Sequence, residues 1–136
     1  MIMHLDFIIV DNNSLNCFIA ERMLQNIDSS IGVHTFLHAQ EAYEYIKKQP
    51  VNPEDHKTVV MLDIHMPLMD GFAFLQEFQK LPEELQNSFA IYIITSSTDI
   101  NDKIKSNKVT AVKRFMSKPI TFNMLNDIIN SMMVEA

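Results

Sequence analysis

Short, almost continuously apolar runs alternate along this chain with longer amphipathic ones, and that alternation limits the fold more than any other feature. Leu5 to Val10 (LDFIIV), Thr58 to Leu62 (TVVML) and Phe89 to Ile94 (FAIYII) are too uniformly apolar for a sheet with one wet face. Runs of this kind predict strands of a parallel sheet covered on both sides. Val112 to Met116 (VKRFM) is a fourth strand candidate, and Ile31 to Leu37 (IGVHTFL), more alternating, is a fifth. Between the runs, apolar residues fall at helical spacing: Leu15, Phe18, Ile19 and Met23; Ala39, Ala42, Tyr43 and Ile46; Phe122, Leu125, Ile129 and Met132. Gly71 to Leu81 and the shorter, more polar Asp99 to Asn107 complete the set, with Thr98 and Thr121 as N-caps. Strand then helix, five times over, predicts a doubly wound α/β fold: (βα)5, a five-stranded parallel sheet with helices on both faces and right-handed crossovers.

The 136 residues, 47% apolar and 21% charged, suit one domain over 1–136 with no output domain attached, able to fold without a disulfide or metal staple. A net charge of −6 argues against direct nucleic-acid binding and against anionic lipid. One cysteine, Cys17, allows no internal disulfide and fits a cytoplasmic location. No run reaches the roughly 18 apolar residues that a membrane span needs, and the opening MIMHLDFIIVDNN is unlike a signal peptide. With Gly32 and Gly71 as the two glycines, no Gly-rich phosphate loop is available.

Polar residues end the strong strands. Asp11 and Asn12 follow the first, Asp63 the third and Thr95 the fourth, and the last runs through Ser117 into Lys118-Pro119. In open α/β sheets the binding crevice lies beyond the carboxyl ends of the strands, so these residues are expected at one edge. Two carboxylates and an amide oxygen suit Mg²⁺, which takes few protein oxygens and keeps several waters. A hydroxyl and an ammonium suit phosphate oxygens, and a carboxylate beside them suits an aspartyl-phosphate intermediate.

Met61 to Phe72 (MLDIHMPLMDGF) resembles the phosphoacceptor segment of response-regulator receiver domains, whose fold is the flavodoxin-like, CheY-like one. Ile93 to Ser97 (IITSS) and Ser117-Lys118-Pro119 resemble two further motifs of that family, in the same order, and the likeness runs from Leu5 to about Val134. The resemblance implies Asp63 as phosphoacceptor, Thr95 as switch hydroxyl, Lys118 as phosphoryl contact and Phe115 as switch aromatic. It implies Mg²⁺ held by Asp11, Asn12, Asp63 and the backbone carbonyl of His65, and a cis peptide before Pro119. Asn12 departs from the family, which carries a second acid there; the expected cost is weaker Mg²⁺ binding. The implied function is a two-component switch that takes a phosphoryl group from a sensor histidine kinase or histidine phosphotransfer protein. It would catalyse its own transfer and a slow autodephosphorylation, and pass the signal to a downstream protein target.

Alternatives follow from single residues. A degenerate receiver acting as a phosphorylation-independent interaction module has Asn12 in its favour. An aspartate-nucleophile phosphatase needs a second Asp where His65 stands, and a flavin carrier needs a better phosphate loop than Asn12-Asn13-Ser14-Leu15. His34 and His38 straddle a strand end rather than share a helix face, so they predict no zinc pair. His65 is read as solvent-facing near the site, Cys17 as an inert small residue, and the ten methionines as core filling. Lys103, Lys105, Lys108, Lys113, Arg114 and Lys118 form a basic run without an acid, read as an output surface for a partner with an acidic patch.

Overall fold

The computed structural model describes residues 3–96 and 99–134. The strands are β1 (His4–Val10), β2 (Gly32–Phe36), β3 (His56–Leu62), β4 (Phe89–Thr95) and β5 (Val112–Ser117). The helices are α1 (Ser14–Ile27), α2 (Ala39–Lys47), α3 (Gly71–Phe78), α4 (Glu83–Gln86), α5 (Ile100–Asn107) and α6 (Phe122–Val134). All strand pairs are parallel, in the order β2-β1-β3-β4-β5, so the two strands carrying Asp11 and Asp63 at their ends are central neighbours.

Side chains alternate across the sheet. Ile8, Val10, Val60, Leu62, Ile91 and Ile93 pack one way, against Ala42, Ile46, Phe74 and Phe78 of α2 and α3. Phe7, Ile9, Val59, Met61, Tyr92 and Ile94 pack the other way, against Ala20 and Leu24 of α1 and Leu125, Ile128 and Met132 of α6. This double cover is the physical reason why the central runs contain almost no polar residue.

One helix turns a different face inward from the one its spacing suggests, and another keeps its face with a change at its start. In α1 the buried residues are Cys17, Ala20 and Leu24, while Leu15, Phe18 and Ile19 are exposed at 61%, 60% and 44%. At 3.6 residues per turn these two sets lie on opposite sides of the helix. Both sides are apolar, so spacing alone does not choose between them. Asn13 fixes the phase: its side chain accepts from the amides of Leu15 and Asn16, which starts the helix with Cys17 directed at the sheet. In α6, Leu125 and Met132 are buried as the spacing predicts, while Phe122 is exposed, Ile128 joins the core and Ile129 is only partly buried. Thr121 caps this helix, accepting from the Met124 amide at 3.1 Å. Thr98 lies outside the described residues. α4 is one turn begun by Pro82, too short to show a periodicity.

Among the described residues no helix is long and apolar enough to cross a membrane. The α1 assignment predicts unequal costs. Leu24→Ala should destabilise the fold by about 2–5 kcal/mol and Phe18→Ala by no more than about 0.5 kcal/mol in chemical denaturation. The opposite order would mean that α1 is rotated.

Candidate functional site

Backbone hydrogen bonds carry the sheet one residue past its strands and so fix three functional positions. The Asp11 amide donates to the Phe36 carbonyl at 3.1 Å, the Asp63 amide to Val10 at 3.0 Å, and the Lys118 amide to Thr95 at 2.8 Å. Residues far apart in sequence are thereby brought to one edge. The Lys118-Pro119 peptide that follows is cis.

At that edge the Lys118 ammonium lies between two carboxylates, donating to Asp11 Oδ2 at 2.7 Å and to Asp63 Oδ2 at 2.9 Å. Both acids are buried, at 4% and 6% exposure. The second oxygens are also engaged: Asp11 Oδ1 accepts from the Asn13 amide at 2.9 Å, and Asp63 Oδ1 from the His65 amide at 3.1 Å. Burial alone would lower the pKa of Lys118, but hydrogen bonds and attraction from Asp11 and Asp63 outweigh it, and the net shift is upward from the ordinary 10.5. A folded value above the unfolded one means that the ammonium stabilises the fold throughout the pH range below about 10.5, and that this stabilisation is lost as pH rises through the folded value.

The loop after Asp63 is closed by the Gly71 amide donating to the Ile64 carbonyl at 3.0 Å. A Cβ at Gly71 would lie 2.5 Å from Ile64 Cα, so no larger residue fits without displacing the backbone. Asp70 caps α3 through the Ala73 amide at 2.9 Å, and Leu68 takes a left-handed φ of 68° at the loop tip.

The structure thus brings together Asp11, Asp63 and Lys118 as the sequence suggests. Thr95 is fully buried at the end of β4, next to Lys118 through the backbone, and Phe115 is partly buried against the α2–α3 face of the sheet. Asn12 is exposed. Asn16, one turn into α1, does reach the cluster, donating to Asp11 Oδ2 at 3.3 Å. Its signal was its place three residues after the cap Asn13. Cys17 donates to the Asp11 carbonyl at 3.3 Å, and burial pushes its thiol up to about 11, which keeps it protonated and unreactive at neutral pH. The His65 ring is not simply solvated: its Nε2 donates to Asp102 Oδ2 at 3.0 Å, on α5.

The donor chemistry fits a hard divalent cation. Two buried carboxylates converge on one positive charge, and the other candidate donors are amide and carbonyl oxygens. Among the described residues no group of three or more His, Cys, Asp or Glu side chains is placed to hold a metal ion; Mg²⁺ needs fewer, since it takes few protein oxygens and keeps several waters.

A family model described as the response regulator receiver domain matches residues 7–130. Among solved structures, a response regulator receiver protein from Dyadobacter fermentans aligns with a TM-score of 0.80 at 28% identity, covering 93% of this chain and 96% of that one. The receiver domain of a sensor histidine kinase from Pseudomonas aeruginosa, described with a magnesium ion coordinated in its active-site cleft, aligns at 0.76 with 16% identity, covering 98% and 99%. Stress response regulator protein 1 of Scheffersomyces stipitis is 28% identical over 118 residues, 87% of this chain. The chain spans 38% of that relative's length.

If Lys118 neutralises the two acids, Lys118→Met, which keeps the aliphatic stem, should cost about 1–3 kcal/mol of stability without metal. Millimolar Mg²⁺ should restore part of the loss in thermal denaturation. Equal stability of mutant and wild type in metal-free buffer would contradict the bridging role.

Proposed function

The chain belongs to the response regulator receiver family, and on that premise we propose that it accepts a phosphoryl group on Asp63 and acts as a two-component signalling switch. The observation that carries this reading is the Lys118 ammonium held 2.7 and 2.9 Å from two buried carboxylates. Such a cation can turn from carboxylate to phosphoryl oxygens as negative charge arrives.

In the proposed reaction an Asp63 carboxylate oxygen attacks phosphorus, a P–O bond forms, and the P–N bond of a phosphohistidine donor breaks, its electron pair staying with the imidazole. Asp11, Asn12, Asp63 and the His65 carbonyl would hold Mg²⁺, which when bound offsets charge on the transferring oxygens. Asn16 and the Asn13 amide hold the Asp11 carboxylate in place. Thr95 supplies a hydroxyl for the phosphoryl group, and Phe115, diagonal to it on the neighbouring strand, responds to that change.

The donor is a sensor histidine kinase or a histidine phosphotransfer protein in the cytoplasm. A groove of about 320 Å³ lined by Asp11, Asn16, Ile19, Lys118, Pro119 and Ile120 opens beside the cluster, and the exposed Leu15 and Phe18 extend the apolar face of α1 that carries Ile19. An apolar helix of the donor fits that surface. The downstream target engages α5 and β5. There Lys103, Lys108, Lys113 and Arg114 are exposed alongside Ile100 and Ile104, while Lys118 belongs to the site and Lys105 lies 4.7 Å over the Phe72 ring. An acidic partner with apolar anchors matches this face.

Incubation with acetyl phosphate and Mg²⁺ should add one labile phosphoryl mass to the wild type and none to Asp63→Asn, read by intact-mass spectrometry. Equal gains in both proteins would remove Asp63 from the role.

A further inference from the structure

α5 is turned the wrong way round for an amphipathic helix. Ile100 and Ile104 are exposed at 70% and 50%, whereas the Asp102 side chain is only 14% exposed and faces the protein. Apolar burial therefore does little to hold α5. Polar contacts contribute to holding it, and two of them lead to the segment that follows Asp63. Asp102 Oδ2 accepts from the His65 ring at 3.0 Å, and the Lys105 ammonium lies over Phe72 in the first turn of α3. His65 also donates its amide to Asp63 Oδ1 at 3.1 Å. One residue thus holds the carboxylate with its backbone and the helix with its ring.

We propose that Asp102 is a positioning residue: acting through His65, it couples the state of the Asp63 carboxylate to the anchoring of α5. Its physiological meaning rests on the phosphoacceptor role of Asp63, but the coupling itself does not. An Asp63 oxygen that becomes bonded to phosphorus is a changed acceptor for the His65 amide, and a change in His65 alters the hold on Asp102. Linkage makes the effect reciprocal, so loss of Asp102 must loosen the His65 amide. Elements with little apolar anchoring open at low free energy, so one hydrogen bond is enough to shift the population of an open α5 severalfold.

Amide hydrogen exchange across residues 100–107 tests the coupling in wild type, Asp102→Ala, Asp63→Ala, Asp63→Asn and the double variant Asp63→Ala/Asp102→Ala. Asp102→Ala and Asp63→Ala should each speed exchange in α5 by roughly three- to tenfold. Asp63→Asn, which keeps an acceptor for the His65 amide, should stay within about twofold of wild type, and the double variant should exchange no faster than Asp102→Ala alone. Unchanged α5 exchange in Asp63→Ala, or effects that multiply in the double variant, overturns the proposal. Should Asp63→Ala fail to fold, Asp102→Ala is read at the His65 amide, which must exchange faster; an unchanged rate there is equally fatal. Intact mass after acetyl phosphate, measured alongside, separates the two readings. A phosphorylated chain with multiplicative rates loses the coupling alone, and an unphosphorylated chain with non-additive rates loses the phosphoacceptor role alone.

Discussion

Two carboxylates out of water at the end of a parallel sheet are unstable unless a positive charge lies between them, and Lys118 supplies it. The rest of the architecture serves that contact. Asp11 and Asp63 are neighbours because β1 and β3 are central partners, and Lys118 reaches both although it leaves a strand at the sheet edge. Its backbone is held to Thr95, its ammonium to the acids, and its pKa rises in consequence. The same arrangement that stabilises the two acids suits the proposed receipt of a phosphoryl group, because the ammonium is already largely shielded from water and aimed.

Energy is distributed unevenly around this centre. The sheet is sealed on both faces by cores that include Phe74 and Phe78 on one side and Leu24 and Leu125 on the other. α1 is locked at its start by Asn13 yet leaves Leu15, Phe18 and Ile19 to solvent beside the site. α5 is fastened mainly by polar contacts and exposes two isoleucines. A well-packed sheet that presents an apolar helix face on one side and a helix with little apolar anchoring on the other suits the switch proposed above.

The strands were legible because a doubly covered sheet leaves its central residues no polar option, so they read as short continuous apolar runs between segments of helical period. Asp11, Asp63, Thr95 and Lys118 were legible because strand ends in such a sheet share an edge. The face of α1 was not legible, since Leu15, Phe18 and Ile19 form as good a stripe as Cys17, Ala20 and Leu24. The decision lies in the Asn13 cap and the small side chains of Cys17 and Ala20. Phe122 begins α6 and is exposed, so the first member of the predicted stripe falls outside the core while Leu125 and Met132 lie in it. Asn16 was overshadowed by Asn12, which stands directly after Asp11 but is exposed. The His65–Asp102 contact joins residues 37 positions apart through no periodicity or motif, and only the fold brings them together.

In the proposed switch Asp63, and not its similarly buried neighbour Asp11, carries the reactive carboxylate. Borohydride reduces an aspartyl phosphate to homoserine and leaves free carboxylates alone. After treatment with acetyl phosphate and Mg²⁺, peptide mapping should find homoserine at position 63 with Asp11 intact. Homoserine at position 11, or at neither position in a chain that has gained a phosphoryl group, would place the reactive group elsewhere than Asp63.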